Sequence, residues 1–172
     1  MHRRRAVAAL SLGLSLLLAA NSFAADRKPT RALLKEAESR FDAMIQKQWT
    51  DDPYVLLGNT RAIYVDGYGV IMTSEINLVT GPTVSPFNPS ISKEAIGRHR
   101  DKKLSRLPQL KQLVKSAAEN ARTWFPDLAD TDTIVIGVTL LKYSWEEAAG
   151  IPAQVIAVMP HRKDAAVKLQ EN

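Results

Sequence analysis

"RAIYVDGYGVIMTSEIN", residues 61–77, decides how the rest of the chain is read. Two runs rich in β-branched and aromatic side chains flank Asp66, Gly67, Tyr68 and Gly69. Such runs read as strands, and glycines between them read as a chain reversal. A hairpin over residues 60–77 is therefore expected. A four-residue connection, Asp66 to Gly69, sets Val65 opposite Val70 and Ile63 opposite Met72. One face is then apolar, and Thr60, Tyr64, Thr73 and Glu75 lie on the other. A two-residue turn at Asp66 and Gly67 pairs Tyr64 with Gly69 instead. In both arrangements the glycines supply backbone conformations that other residues resist.

A second strand pair follows far downstream. In "TDTIVIGVTLLKY", residues 131–143, Ile134, Ile136, Val138 and Leu140 share one face, and the other face is also fairly apolar. That pattern predicts a central strand. "AQVIAVMP", residues 153–160, is its expected hairpin partner.

Helical spacing occupies the intervening regions. Leu33, Leu34, Ala37, Phe41, Met44 and Ile45 recur with a helical period after a capping Thr30. This helix is expected to end near Trp49. Ser92 and Lys93 open a longer one, with Leu104, Leu107, Leu110, Leu113, Val114, Ala117, Ala121 and Trp124 in register. Pro108 predicts a kink or two abutting helices, and Pro126 a stop. The loop over residues 78–92 carries Pro82, Pro86 and Pro89, which exclude helix and central strand. A short terminal helix is expected around Val167 and Leu169. The fold class expected is α+β: a mostly antiparallel sheet of about four strands from two hairpins, with helices packed on one face.

The N-terminus bounds the location. Arg3, Arg4 and Arg5 precede an uncharged apolar run, and Ser22 and Ala24 stand at the −3 and −1 positions of a cleavage site. Residues 1–24 are expected to be a secretory signal peptide, cut near Ala24, and residues 25–172 a single domain. The expected location is periplasmic or secreted. The chain has no cysteine, so neither a lipobox anchor nor a disulfide is available. Its net charge of +5 includes the three leader arginines. Without the leader, 20 basic residues face 18 acidic ones, a balance of +2. Nucleic acid is not an expected partner at that charge.

Chemical motifs are sparse. Gly67-Tyr68-Gly69 does not open a helix, so it is not a dinucleotide fingerprint. His99 and His161 lack metal-ligand spacing and read as solvated surface residues. No metal and no cofactor is expected. Asp66, Glu75, Glu146 and Glu147 are the acids from which a catalytic carboxylate pair could come. Asp66, Gly67, Tyr68, Gly69, Trp145 and Glu146 form the candidate ligand-binding set. Trp145 either caps the core or is exposed for binding. Arg98, Lys102 and Arg106, in "RHRDKKLSR", form a basic helical stripe. It reads as a solvated face, with peripheral contact to an anionic surface as the functional alternative.

"YVDGYGVIMTSEINL" and "YSWEEAAGIPAQVIAV", with the leucine-rich helix between them, resemble a family of uncharacterised exported bacterial proteins. The resemblance implies export and one small domain, and it lends no activity, cofactor or site residue. The function expected is a non-enzymatic binding or scaffold domain of the envelope, with an envelope partner or a small ligand. The alternative is a small envelope hydrolase using carboxylates near the hairpin turns.

Overall fold

A computed structural model describes residues 28–48, 55–82, 86 and 90–172. The leader, Trp49 and Pro89 lie outside the described residues. Helix α1, Arg31–Gln46, starts where the Thr30 hydroxyl accepts from the Leu33 amide at 3.2 Å. Such a cap satisfies one of the orphan donors of the first turn. Leu34, Ala37, Phe41 and Ile45 form the buried stripe of α1, as their spacing predicts.

The strands are β1, Val55–Leu56; β2, Arg61–Val65; β3, Gly69–Asn77; β4, Thr133–Leu140; β5, Gln154–Pro160; and β6, Lys168–Glu171. Between β3 and β4 runs helix α2, Lys93–Trp124. The fold is α+β as expected, but the sheet has six strands and is mixed. β1 and β2 both pair with β3 along one edge, and the order continues β3-β4-β5-β6. All neighbours are antiparallel except β3 and β4. That parallel pair follows from chain length, since the crossover through α2 is long enough to return the chain to the same end of the sheet.

Three expectations need correction. The terminal segment is a strand: β6 pairs with the outer edge of β5, with Leu169 opposite Ala157. A helix this short is poorly stable alone, whereas an open strand edge offers partners for every second backbone group. Of the two outcomes expected at Pro108, division into abutting helices does not occur: α2 is one helix of 32 residues. The hairpin takes neither expected register. Its connection is three residues, Asp66 to Tyr68, with Val65 paired to Gly69 and Ala62 to Met72. A one-residue slip exchanges the faces of a strand. Ala62 and Tyr64 therefore turn toward the core, while Ile63 and Val65 lie on the opposite face, 55% and 39% exposed.

Gly69 makes this register possible. Its φ is 126°, and a Cβ there would stand 2.1 Å from the Thr133 carbonyl oxygen on the parallel neighbour. The expected structural role for the glycine pair holds, and its cause is the close approach of two strands as well as the turn.

Both helices lie on one face of the sheet, where Val70, Met72, Ile76, Ile134, Ile136, Val138, Val155 and Ala157 are buried. Two acids one turn apart on α1 fasten the β2 edge. Glu38 accepts from the Ala62 amide and from Arg31 Nη1, both at 2.9 Å. Asp42 accepts from the Thr60 amide at 3.0 Å and from its hydroxyl, which in turn meets the Ser74 hydroxyl at 2.6 Å. These contacts occupy polar groups that an edge strand otherwise leaves open.

Candidate functional site

His99, Lys103 and Arg106 are buried on α2, at 6%, 1% and 7% exposure. Their spacing continues the stripe of Leu110, Leu113 and Val114 toward the N-terminal end of the helix. The structure therefore corrects two readings. His99 is not a solvated surface histidine, and neither is His161, which is 8% exposed. The basic stripe is also not uniform: Arg98 and Lys102 are exposed, while Arg106 turns inward and donates to the Leu78 carbonyl at 2.8 Å.

Glu146 reaches this part of α2 from the connection after β4. Lys103 Nζ donates to both of its carboxylate oxygens, at 2.6 and 2.7 Å. The third ammonium hydrogen has the Leu141 carbonyl at 2.8 Å. His99 Nε2 lies 2.6 Å from Oε1 of the same carboxylate. A carboxylate only accepts, so Nε2 carries the proton of this bond. The side chains of His99, Lys103 and Glu146 are 4%, 1% and 4% exposed. Desolvating such a pair costs free energy that mutual attraction repays only with good geometry and every hydrogen bond made. Here Lys103 and the carboxylate meet that condition.

Aromatic rings close one side. Tyr143 and Trp145 stack at 5.1 Å with a 6° angle between planes, and the His99 ring meets Trp145 edge-on at 5.0 Å. The Asn77 amide donates to the Tyr143 hydroxyl at 2.7 Å, while Asn77 Oδ1 is buried without a partner. The start of the 78–92 loop lies over these rings. It can do so because residue 81 is glycine: a Cβ there would be 2.7 Å from the Trp145 ring and 3.1 Å from the His99 ring.

On the other side of the ion pair is a cavity of about 330 Å³. Lys103 and Glu146 form part of its wall, with Leu140, Ile151, Pro152 and Asn172 among the rest. A largely apolar concavity with a few placed polar groups is the usual form of a small-molecule site.

The candidate ligand-binding set is split. Trp145 and Glu146 belong to the site just described. Asp66, Gly67, Tyr68 and Gly69 lie at the other end of the strands, about 25 Å away at the rise of an eight-residue strand. The Asp66 side chain is 75% exposed and 2.8 Å from Lys28 Nζ. That hydrogen bond and charge hold the Lys28 ammonium above its ordinary range. Nearby, burial and then the Asp132 carboxylate raise the Tyr64 phenol. Gly67 has a φ of 72° in the turn, and Tyr68 is 44% exposed. Glu75 and Glu147 are exposed. Glu146 thus meets a lysine and a histidine, not a second acid.

Among the described residues, no group of three or more histidine, cysteine, aspartate or glutamate side chains could hold a metal ion. No helix among them is long and apolar enough to cross a membrane. Comparison with protein-family models, with curated proteins and with solved structures finds no match.

Sequence reasoning missed His99, Lys103, Tyr143 and Asn77. The usable signal was the phase of α2. Counting back from Leu110 in steps of three and four lands on Arg106, Lys103 and His99.

Proposed function

We propose that this chain is an exported, non-enzymatic binding domain of the bacterial envelope, which holds a small, largely apolar ligand in the cavity beside Lys103 and Glu146. Export rests on the leader pattern of residues 1–24 and on the resemblance to exported proteins. The binding reading rests on one observation: the nine-tenths buried Lys103–Glu146 pair, backed by His99, forms part of the wall of a 330 Å³ cavity. Such clusters are costly for stability alone, and a largely apolar concavity with a few placed polar groups is the usual form of a small-molecule site.

A carboxylate hydrolase has less support. Glu146 already receives two lysine hydrogens and one from histidine. A general base needs a free lone pair within reach of the proton it takes, and a carboxylate mechanism needs a second acid nearby.

Amide NMR titration with hexanoate and with hexanol tests the pocket. Saturable shifts are expected at Leu141, Ile151 and Ala153, and they should vanish in Ile151→Trp, which fills the cavity. Absent shifts in the wild type, or shifts unchanged in the variant, would overturn the binding reading. Export has its own measurement: the mass of exported protein should correspond to a chain beginning at Ala25, and material retaining residues 1–24 would refute cleavage.

A further inference from the structure

A second concavity, more polar than the first, lies at the other end of the sheet, where the last turn of α2, the residues before β4 and the residues after β5 meet. Its volume is about 560 Å³, and its lining includes Arg122, Thr131, His161, Lys163 and Asp130. We propose that this cleft binds a phosphate group.

The argument begins with unmet hydrogen bonds. His161 is 8% exposed, and neither ring nitrogen has a partner. Arg122 Nε is also buried without one. The guanidinium is nevertheless held in place. Nη1 donates to the Lys163 carbonyl at 2.9 Å, and Nη2 donates to the carbonyls of Arg162 at 2.8 Å and Ala165 at 3.2 Å. His161 is held through its backbone, whose amide donates to the Asp132 carbonyl at 2.8 Å. A guanidinium fixed by three carbonyls and a buried imidazole thus line one cleft with donors unused.

Their chemistry selects the ligand. Arg122 Nε can only donate, and an imidazole donates from at least one nitrogen. Buried polar groups in native proteins are almost always partnered, so an orphan pair in one cavity points to a missing acceptor. Lys163 adds a positive charge, Thr131 a hydroxyl, and Asp130 the one acidic side chain of the lining. An acceptor-rich anion suits this set, because the Arg122 Nε hydrogen and the Lys163 ammonium can both donate to it with charge assistance. The cleft is larger than one phosphate, so the group would be carried on a larger molecule, either a soluble phosphate ester or a lipid headgroup.

NMR on the whole exported chain tests this, reading the His161 ring and the Arg122 Nε–H. Glycerol 3-phosphate is one probe. Vesicles of phosphatidylglycerol in phosphatidylcholine, read by sedimentation, are the other. Chloride at matched ionic strength is the control. Saturable shifts at both side chains with the soluble ester identify a free phosphate ligand. Vesicle binding without such shifts identifies the lipid source. In either case Lys163→Gln, an exposed position, should weaken binding by roughly three- to tenfold through loss of one charge-assisted contact, and His161→Leu should weaken it further. The proposal is overturned if both probes behave as chloride does, or if the affinity in Lys163→Gln equals that of the wild type.

Discussion

His99 and His161 are buried to nearly the same degree, 6% and 8% exposed. Their surroundings differ in one respect. His99 Nε2 has a carboxylate oxygen at 2.6 Å, inside a cluster that also receives lysine. His161 has no partner at either nitrogen, and neither does the nearby Nε of Arg122. Burial alone therefore does not say what a polar side chain contributes. Within the Lys103–Glu146–His99 cluster the polar groups complete one another, and removing any member leaves the others exposed to the full cost of desolvation. At the His161 end they are incomplete, so removing one relieves a cost unless an outside molecule supplies the acceptor.

The largest expected effect comes from breaking the complete cluster. Lys103→Met leaves the Glu146 carboxylate buried with only His99 against it. A loss of about 3–5 kcal/mol is expected, the range for removing one member of a buried ion pair. The double variant Lys103→Met, Glu146→Leu should recover much of it, because no buried charge remains. Denaturant melts of both variants measure this. A single variant as stable as the double would mean that the pair is already hydrated, and the contrast between the two ends would fail.

His99→Leu should cost less, about 1.5–3 kcal/mol, the worth of a hydrogen bond to a charged group. His99→Gln keeps a donor and should recover part of the loss. Equal melting of Leu and Gln variants would show that the ring matters only through its packing on Trp145. Gly81→Ala ranks next. Its Cβ would press on the Trp145 ring at 2.7 Å, and overpacking of this kind costs about 1–3 kcal/mol. Trp145 fluorescence should shift as the ring is displaced. An unaltered spectrum would mean that the loop, rather than the ring, gives way.

Much of the frame was legible in the sequence, because it depends on period. The buried stripe of α1, the Ile134–Leu140 face of β4 and the start of α2 at Ser92 all follow from local pattern. Relations between distant segments were not. The β3–β4 parallel pair joins residues some sixty apart in sequence, and no local signal encodes it. The hairpin register turned on whether Gly69 ends the turn or begins the strand. What decides it is the Thr133 backbone, which comes from that same distant pairing. The site was half legible. Trp145 and Glu146 stood out, but their partners on α2 were hidden in a run of charges. Arg98 and Lys102 are exposed, while His99, Lys103 and Arg106 are buried. Charge content suggested a solvated face, whereas the leucine period, extended backward, puts three of these residues inside.

The smallest effect is expected at the incomplete end, and it discriminates best. His161→Phe removes two buried nitrogens that bond to nothing and keeps a planar ring of similar shape. Without ligand, stability should change by no more than about 0.5 kcal/mol, or should rise, because replacing unsatisfied polar atoms by apolar ones is nearly neutral or favourable. The same substitution should abolish any thermal stabilisation by glycerol 3-phosphate, since a ligand stabilises only the state that binds it. Melting curves of wild type and variant, each with and without the ester, separate the two statements. A variant destabilised as much as His99→Leu, with no ligand present, would mean that His161 has an internal partner after all. The two histidines would then be alike, and the contrast drawn between the two ends of the sheet would be lost.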